Sequence, residues 1–401
     1  MLKNLVSRQS LNMMKNILAI TCLALLIITC KKPFTPVLNQ SDKRYLVIEG
    51  IISGNDSTFI KLSRSKNIDT LRTIVAENNA QVTIENDAGG SFPLAEIRSG
   101  TYAVGPLNLD NSHKYRLRVK TSDAKEYLSD FVPLKNAPPI DSVGFNAKSS
   151  GVQIYVNAHD DANATRYYRW DFTETWQFHS EYPSGYYSNG IDSIKARTVS
   201  QQVYNCFGSD SSTSVLIAST TKLNKDIVSE APMTFISGSA EKVETKYSIL
   251  VKQYALTSDA YEFWETLQKN TEKLGSIFDV LPSETQSNFH CVSNPGELVV
   301  GYLSAGNVSQ KRIFITASQL PHYTTDYPYG CQLDTAWLNP PRSGSYLENI
   351  LIPASSPYGI VNALYLQPAN PFGLPSAYNF STKLCVDCTL RGKRTPPSYW
   401  K

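Results

Sequence analysis

Cysteine thiols are the side chains of this chain best placed to do chemistry. Cys30 closes an apolar run, Ile17–Thr29, that follows the basic residue Lys15. At 13 residues the run matches the core of a signal peptide and falls short of the ~20 apolar residues a transmembrane helix needs. Ile27-Ile28-Thr29-Cys30 resembles a bacterial lipobox, in which the cysteine thiol takes a diacylglyceryl group and becomes the new N-terminus. We therefore expect residues 1–29 to be a cleaved signal peptide and Cys30 to be lipidated, with two or three acyl chains holding the mature protein on a membrane. Met13 and Met14 directly precede Lys15, so either could start the chain instead of Met1.

Five cysteines remain once Cys22 is cleaved away and Cys30 is acylated: Cys206, Cys291, Cys331, Cys385 and Cys388. Export places them in an oxidising compartment, so all five are disulfide candidates, and the odd count leaves one thiol over. Cys385-Val386-Asp387-Cys388 has the spacing of a zinc or thioredoxin-like pair. It has no second such pair and no βαβ context, and reads as structural. Segment proximity pairs Cys206 with Cys291, and Cys331 with one of the tail pair.

Other catalytic chemistry leaves little trace. The sequence contains no GxSxG, HExxH, P-loop or GxGxxG pattern of the kinds that mark hydrolases and nucleotide binders. The five histidines, His113, His159, His179, His290 and His322, are scattered without metal-ligand spacing. His159-Asp160-Asp161 could hold a cation but reads better as a turn, and His290-Cys291 is half of a Cys-His pair with nothing to complete it. We expect no cofactor, no metal and no catalysis. Removing residues 1–30 takes out Lys3, Arg8 and Lys15, leaving 35 basic against 35 acidic residues. Such a balance excludes a general nucleic-acid binder, which needs a basic surface to displace counterions from phosphates.

The elements that would position any site are strands. Residues 30–43 carry Pro33 and Pro36 and read as a lipidated tether. Tyr45–Ile52, Phe59–Leu62, Ala80–Ile84 and Tyr115–Val119 are rich in β-branched and aromatic residues, and Asp87-Ala88-Gly89-Gly90 supplies a hairpin turn. They predict a β-sandwich over 44–133, with Leu46, Ile48, Ile60, Leu62, Val82, Ile84, Tyr115, Leu117 and Val119 inside. The proline-rich stretch Pro133–Ile140 reads as a boundary. A second β-rich domain follows over 140–317, on the alternation of Val152, Ile154 and Val156 and of Tyr168, Trp170 and Phe172. Its one main helix is predicted over 258–274, capped by Ser258 or Asp259 and stopped by Gly275, with a stripe of Tyr261, Trp264, Leu267, Thr271 and Leu274. Trp264 reads as a core aromatic. From 318 to 401 the chain holds 11 of its 22 prolines, which predicts an irregular, cysteine-tied tail wrapped over the domains. The fold class is thus mainly β.

Tyrosine, at 23 residues, offers rigid faces with polar tips that suit recognition. In the cluster from Tyr167 to Tyr187, alternation turns Tyr168, Trp170 and Phe172 inward. It leaves Tyr167, Tyr182, Tyr186 and Tyr187 as candidates for a ligand or partner surface.

Several stretches taken together carry a resemblance: the lipobox followed by YLVIEGIIS, then AQVTIEN, GTYAV, YYRWDFTETW, KYSILVKQYALTSDAYEFWETLQKNTEKLGSIFD, VVGYLSAG and KRIFI. They resemble the domain of unknown function 4249 family of Bacteroidetes lipoproteins, from about Cys30 to about Ile315. The resemblance implies an outer-membrane lipoprotein with an N-terminal sandwich similar to carboxypeptidase regulatory domains, often encoded beside a TonB-dependent transporter. It implies no catalytic residues. Lys31-Lys32 after the lipid cysteine differ from the acidic surface-export signals of that phylum, so the side of the outer membrane stays open. The expected function is a non-catalytic binding or accessory subunit of such a transporter. An envelope hydrolase of peptides or glycans, or a structural or adhesive surface protein, stands as the alternative.

Overall fold

The structure, a computed structural model, describes residues 44–65, 75–191, 193–272, 286–327, 329–337, 351–365 and 375–401. The signal peptide, Cys30, the tether, and Leu274 and Gly275 beyond the helix lie outside the described residues.

Nine strands open the fold: β1 (Leu46–Ser53), β2 (Thr58–Arg64), β3 (Val75–Ala76), β4 (Gln81–Asn86), β5 (Ser91–Arg98), β6 (Thr101–Val104), β7 (Lys114–Lys120), β8 (Glu126–Ser129) and β9 (Val132–Asn136). Period-two alternation sends one side of each strand inward. All nine expected core residues are at most 3% exposed. The β4–β5 hairpin turns at Gly89, whose φ of +89° favours glycine. The Asn86 N–H donates to the Gly90 carbonyl at 3.0 Å to close it.

The second sandwich pairs one sheet, β10 (Ile140–Lys148), β11 (Gly151–His159) and β17 (Ile227–Ser237), with another. That other sheet contains β12 (Tyr167–His179), β15 (Asn205–Ser211), β16 (Leu216–Ser219), β18 (Lys246–Ala255) and β22 (Ser309–Thr316). Between β12 and β15 stands a small hairpin, β13 (Tyr186–Ser188) with β14 (Ile194–Ala196). Val152, Ile154, Val156, Tyr168, Trp170 and Phe172 all join the core, as their alternation predicts. The buried Trp170 Nε1 donates to Gln253 Oε1 at 2.9 Å, and Gln253 Nε2 donates to the Pro138 carbonyl at 2.8 Å.

The one long helix among the described residues is α1 (Ser258–Glu272). Its cap is one residue earlier than expected: Thr257 Oγ1 accepts from the Ala260 N–H at 3.2 Å. Its buried side chains are Ala260 and Phe263, whereas Thr271 is exposed.

The contiguous domain spans require correction. After α1 the chain returns to the first sandwich through β19 (Phe289–Cys291), β20 (Val299–Val300) and β21 (Ala305–Asn307), then passes back as β22. β19 pairs with β8, β20 with the start of β1, and β21 lies between β1 and β9. Phe289, Cys291, Val299, Leu303 and Ala305 thereby enter the first core. Gly301 makes the crossing close: a Cβ there would sit 2.2 Å from the Ile48 carbonyl oxygen. Nor is the stretch from Pro133 a plain boundary. Val132 and Leu134 face inward in β9 while Pro133 faces out, and the connection from β9 to β10 is Ala137–Pro139 alone.

The tail is more regular than its proline content suggests. β23 (Asp334–Trp337), β24 (Tyr358–Leu364) and β25 (Ala377–Thr382) form a sheet in the order 23-25-24, followed by the short α2 (Lys383–Val386). Ala336, Leu351, Ile360, Tyr378 and Phe380 give it a core of its own, against which Tyr186 and Ile194 pack. Disulfides join Cys206 to Cys388 and Cys331 to Cys385, and Cys291 is a buried free thiol. The expected Cys206–Cys291 bond is therefore corrected, because Cys291 lies in the first sandwich and Cys206 in the second. Beyond Cys388 the chain straps the outer face of the second sheet. Lys393 and Phe207 exchange backbone hydrogen bonds at 2.8 and 3.0 Å, Tyr399 Oη bonds Thr175 Oγ1 at 2.7 Å, and Arg312 stacks on Tyr399 at 3.7 Å.

Non-reducing peptide mapping should recover the Cys206–Cys388 and Cys331–Cys385 peptides, and a maleimide should label Cys291 only after denaturation. A Cys206–Cys291 peptide would contradict the fold. Cys388→Ser, which opens a loop spanning 182 positions, should cost about 2–5 kcal/mol in a denaturant melt.

Candidate functional site

A groove of about 620 Å³ runs between the first sandwich, the outer face of the second, and α1. One wall is Glu49, Gly50, Ile51, Phe59 and Lys61 from β1 and β2. The facing wall is Arg169 and Asp171 of β12, Lys252 and Tyr254 of β18, and the connection Ser212–Val215. Trp264 and Leu267 of α1 close one side. The inward alternation of Tyr168, Trp170 and Phe172 is what turns Arg169 and Asp171 outward into the groove.

The charges here are paired. Arg169 Nη2 donates to Asp171 Oδ1 at 2.8 Å, and its guanidinium lies 4.0 Å from the Trp264 ring and 5.4 Å from the Tyr254 ring. Planar stacking of this kind suits arginine. Trp264 is thus half-buried and groove-lining, not the core aromatic expected from sequence. Lys252 Nζ donates to Asp56 Oδ2 at 2.5 Å across the sandwich junction, and Lys61 pairs with Glu49 at 3.3 Å. Burial pushes the Asp56 carboxyl up, but the Lys252 hydrogen bond, the Ser57 N–H and the Lys252 charge together hold it below its ordinary value. Burial raises the Tyr254 phenol well above its usual range.

The four candidate tyrosines serve packing in different places. Tyr167 packs at a tilt against Tyr261 of α1, ring centres 5.0 Å apart. The Tyr182 N–H donates to the Cys385 carbonyl at 3.0 Å, Tyr186 meets Tyr378 edge-on at 5.6 Å, and Tyr187 carries Arg197 at 5.5 Å. All four are half-buried, and Tyr182 and Tyr186 belong to the contact with the tail. None of them lines the groove. The groove residues were missed because they come from six segments that only tertiary structure brings together. The one local signal was the opposite-charge pair Arg169 and Asp171 on the polar face of an alternating strand.

The remaining candidates take structural roles. Asp160 accepts from the backbone N–H groups of Ala162, Ala164 and Thr165 at 2.9–3.0 Å, which makes the His159-Asp160-Asp161 segment a capped turn. His159 Nδ1 lies 2.7 Å from Asp141, whose hydrogen bond and charge raise the imidazole pKa. His290 and Cys291 are successive residues of β19, one exposed and one buried, so they face opposite ways. Among the described residues no three His, Cys, Asp or Glu side chains form a group that could hold a metal ion, and no helix is long and apolar enough to cross a membrane.

Because the folded Asp56 carboxyl titrates below its unfolded value, its stabilising contribution is present above that unfolded value and is lost as pH falls through the folded one. Asp56→Asn should therefore melt below the parent chain at neutral pH, and the gap should close on acidification below about pH 4, the ordinary carboxylate range. Equal melting at pH 7 would show that the junction pair contributes nothing.

Comparison with known proteins adds a family. No curated protein matches the chain. Among solved structures, a two fibronectin type-III domain segment from chicken tenascin is similar at 8% identity, covering 52% of this chain and 90% of that one, with a TM-score of 0.15. An overlay that weak carries no argument. The sequence model of the Domain of unknown function (DUF4249) family matches residues 31–312. With well over half its length matched, from before β1 through the groove to β22, the chain belongs to that family.

Proposed function

We propose that the protein is an exported, lipid-anchored binding subunit of the outer membrane that partners a TonB-dependent transporter in nutrient uptake, with the groove as its ligand site. The observation that carries this reading is the groove's make-up: aromatic faces of Trp264, Tyr254 and Phe59 beside three cation–carboxylate pairs. Pockets that recognise small ligands combine apolar and aromatic surface with a few fixed polar groups. Here Arg169 is preorganised by stacking, which lowers the ordering cost of binding.

A hydrolase acting on peptides or glycans would need two carboxylates with separated pKa values, one kept protonated as the acid. The three groove carboxylates instead each accept from a cation, and Asp56 is drawn toward the ionised form. A purely adhesive role would call for a flat patch in place of a groove. Binding is therefore the reading the geometry favours.

Affinity purification of the anchored protein from its native membrane, after gentle detergent extraction, should bring down a TonB-dependent transporter in stoichiometric amount. The double variant Arg169→Ala, Trp264→Ala should keep that association and its fold, yet slow growth that depends on the transporter. A protein that purifies alone counts against the partnership, and a double variant with unimpaired uptake counts against the groove.

A further inference from the structure

The connection between β19 and β20 presents bare aliphatic side chains around an uncharged tip. Val292 is 47%, Leu298 62% and Val300 39% exposed, and Ser293, Asn294, Pro295 and Gly296 between them are exposed as well. The only carboxylate in this loop, Glu297, is neutralised from inside the sandwich. Lys125 Nζ donates to it at 2.7 Å, the Tyr127 hydroxyl donates at 2.6 Å, and Arg64 lies at 3.6 Å. The loop therefore offers apolar surface without a free negative charge.

Its place in the fold says what covers it. β20 pairs with the beginning of β1, Leu46 with Val299 and Val47 with Val300. The described chain starts just before, at Arg44, whose carbonyl accepts from Arg64 Nη1 at 3.4 Å. Only residues 31–43 separate Arg44 from Cys30. A segment of that length reaches no further than about 45 Å. An acylated Cys30 thus holds this end of the first sandwich close to the bilayer. The Asp56–Lys252 junction lies past the opposite end of β1, a strand of 8 residues at about 3.3 Å per residue.

We propose that the Val292–Val300 loop is a membrane-contact surface, seated in the interfacial layer of the bilayer that holds the Cys30 acyl chains. This rests on the lipid-anchor reading. Lipid is favoured over a protein partner by size: nine residues offer far less than the ~800 Å² per side of a standard protein interface. A few aliphatic side chains suffice to orient a protein already anchored by acyl chains, since apolar area adds to the anchor's own affinity. Seated this way, the first sandwich takes one orientation to the bilayer, with the groove on the aqueous side.

The test uses the mature, membrane-extracted protein carrying Leu298→Cys labelled with an environment-sensitive fluorophore. It is reconstituted into phosphatidylethanolamine–phosphatidylglycerol vesicles beside a Leu223→Cys control on the second sandwich. The Leu298 probe should shift to the blue and become several-fold less accessible to aqueous iodide, while the Leu223 probe stays unchanged. An acylated chain whose Leu298 probe behaves like the Leu223 probe overturns the proposal alone. A shift seen only in native membranes, and not in pure lipid, assigns the loop to a protein partner and also overturns it. Intact mass separates the remaining failure: an unacylated Cys30 removes the anchor and overturns reading and proposal together.

Discussion

The first sandwich depends on side chains that arrive about 150 residues after its last early strand, with Phe289, Cys291, Val299, Leu303 and Ala305 buried beside Leu46, Ile60 and Leu117. Burial of apolar area is the main favourable contribution to folding, so the first core is incomplete until the return segment is in place. That single constraint interleaves the two sandwiches: β10–β18 and α1 lie between β9 and β19, and β22 rejoins the second sandwich after β21. Three chain crossings, at Ala137–Pro139, between α1 and β19, and between β21 and β22, then hold the sandwiches together. The seam is tied by the Asp56–Lys252 pair, by Asn55 with the Val308 backbone at 2.8 and 2.9 Å, and by Gln253 with Pro138.

The groove follows from that seam. Its walls belong to different sandwiches, so its width is set by the same packing that completes the first core. The ion pairs within it are partly exposed and add modestly to stability. Their effect is to fix the Arg169 guanidinium and the Lys252 ammonium in place, with the rings of Trp264 and Tyr254 beside Arg169. Further along the same outer face of the second sheet, the C-terminal strap beyond Cys206–Cys388 covers Thr175 and Arg312.

Much of the strand content was legible because alternation is a local signal. All nine core positions of the first sandwich and the Val152 and Tyr168 alternations of the second could be read from period two alone. The return strands could not. β20 has two residues and β19 and β21 three each, too few to show a period, and their pairing is a long-range property. The helix was legible, but its cap was not, since Thr257, Ser258 and Asp259 are all competent caps and only geometry selects the first. Proline density misled in the tail, where strands of four to seven residues fit between the prolines. The partners of the tyrosine cluster were not legible either: sequence counts aromatic rings, whereas the contacts of Tyr167 with Tyr261, Tyr186 with Tyr378 and Tyr187 with Arg197 are long-range or set by the hairpin.

The claim on which the rest depends is that the first sandwich cannot complete its core without the return segment. Its most direct test is the solution spectrum of a fragment spanning residues 44–136 alone, recorded with and without an added peptide covering 286–307. The account predicts a collapsed or unfolded fragment that gains dispersed, strand-like resonances only when the peptide is present. A fragment that folds cooperatively by itself would contradict it, and would make the two sandwiches independent domains.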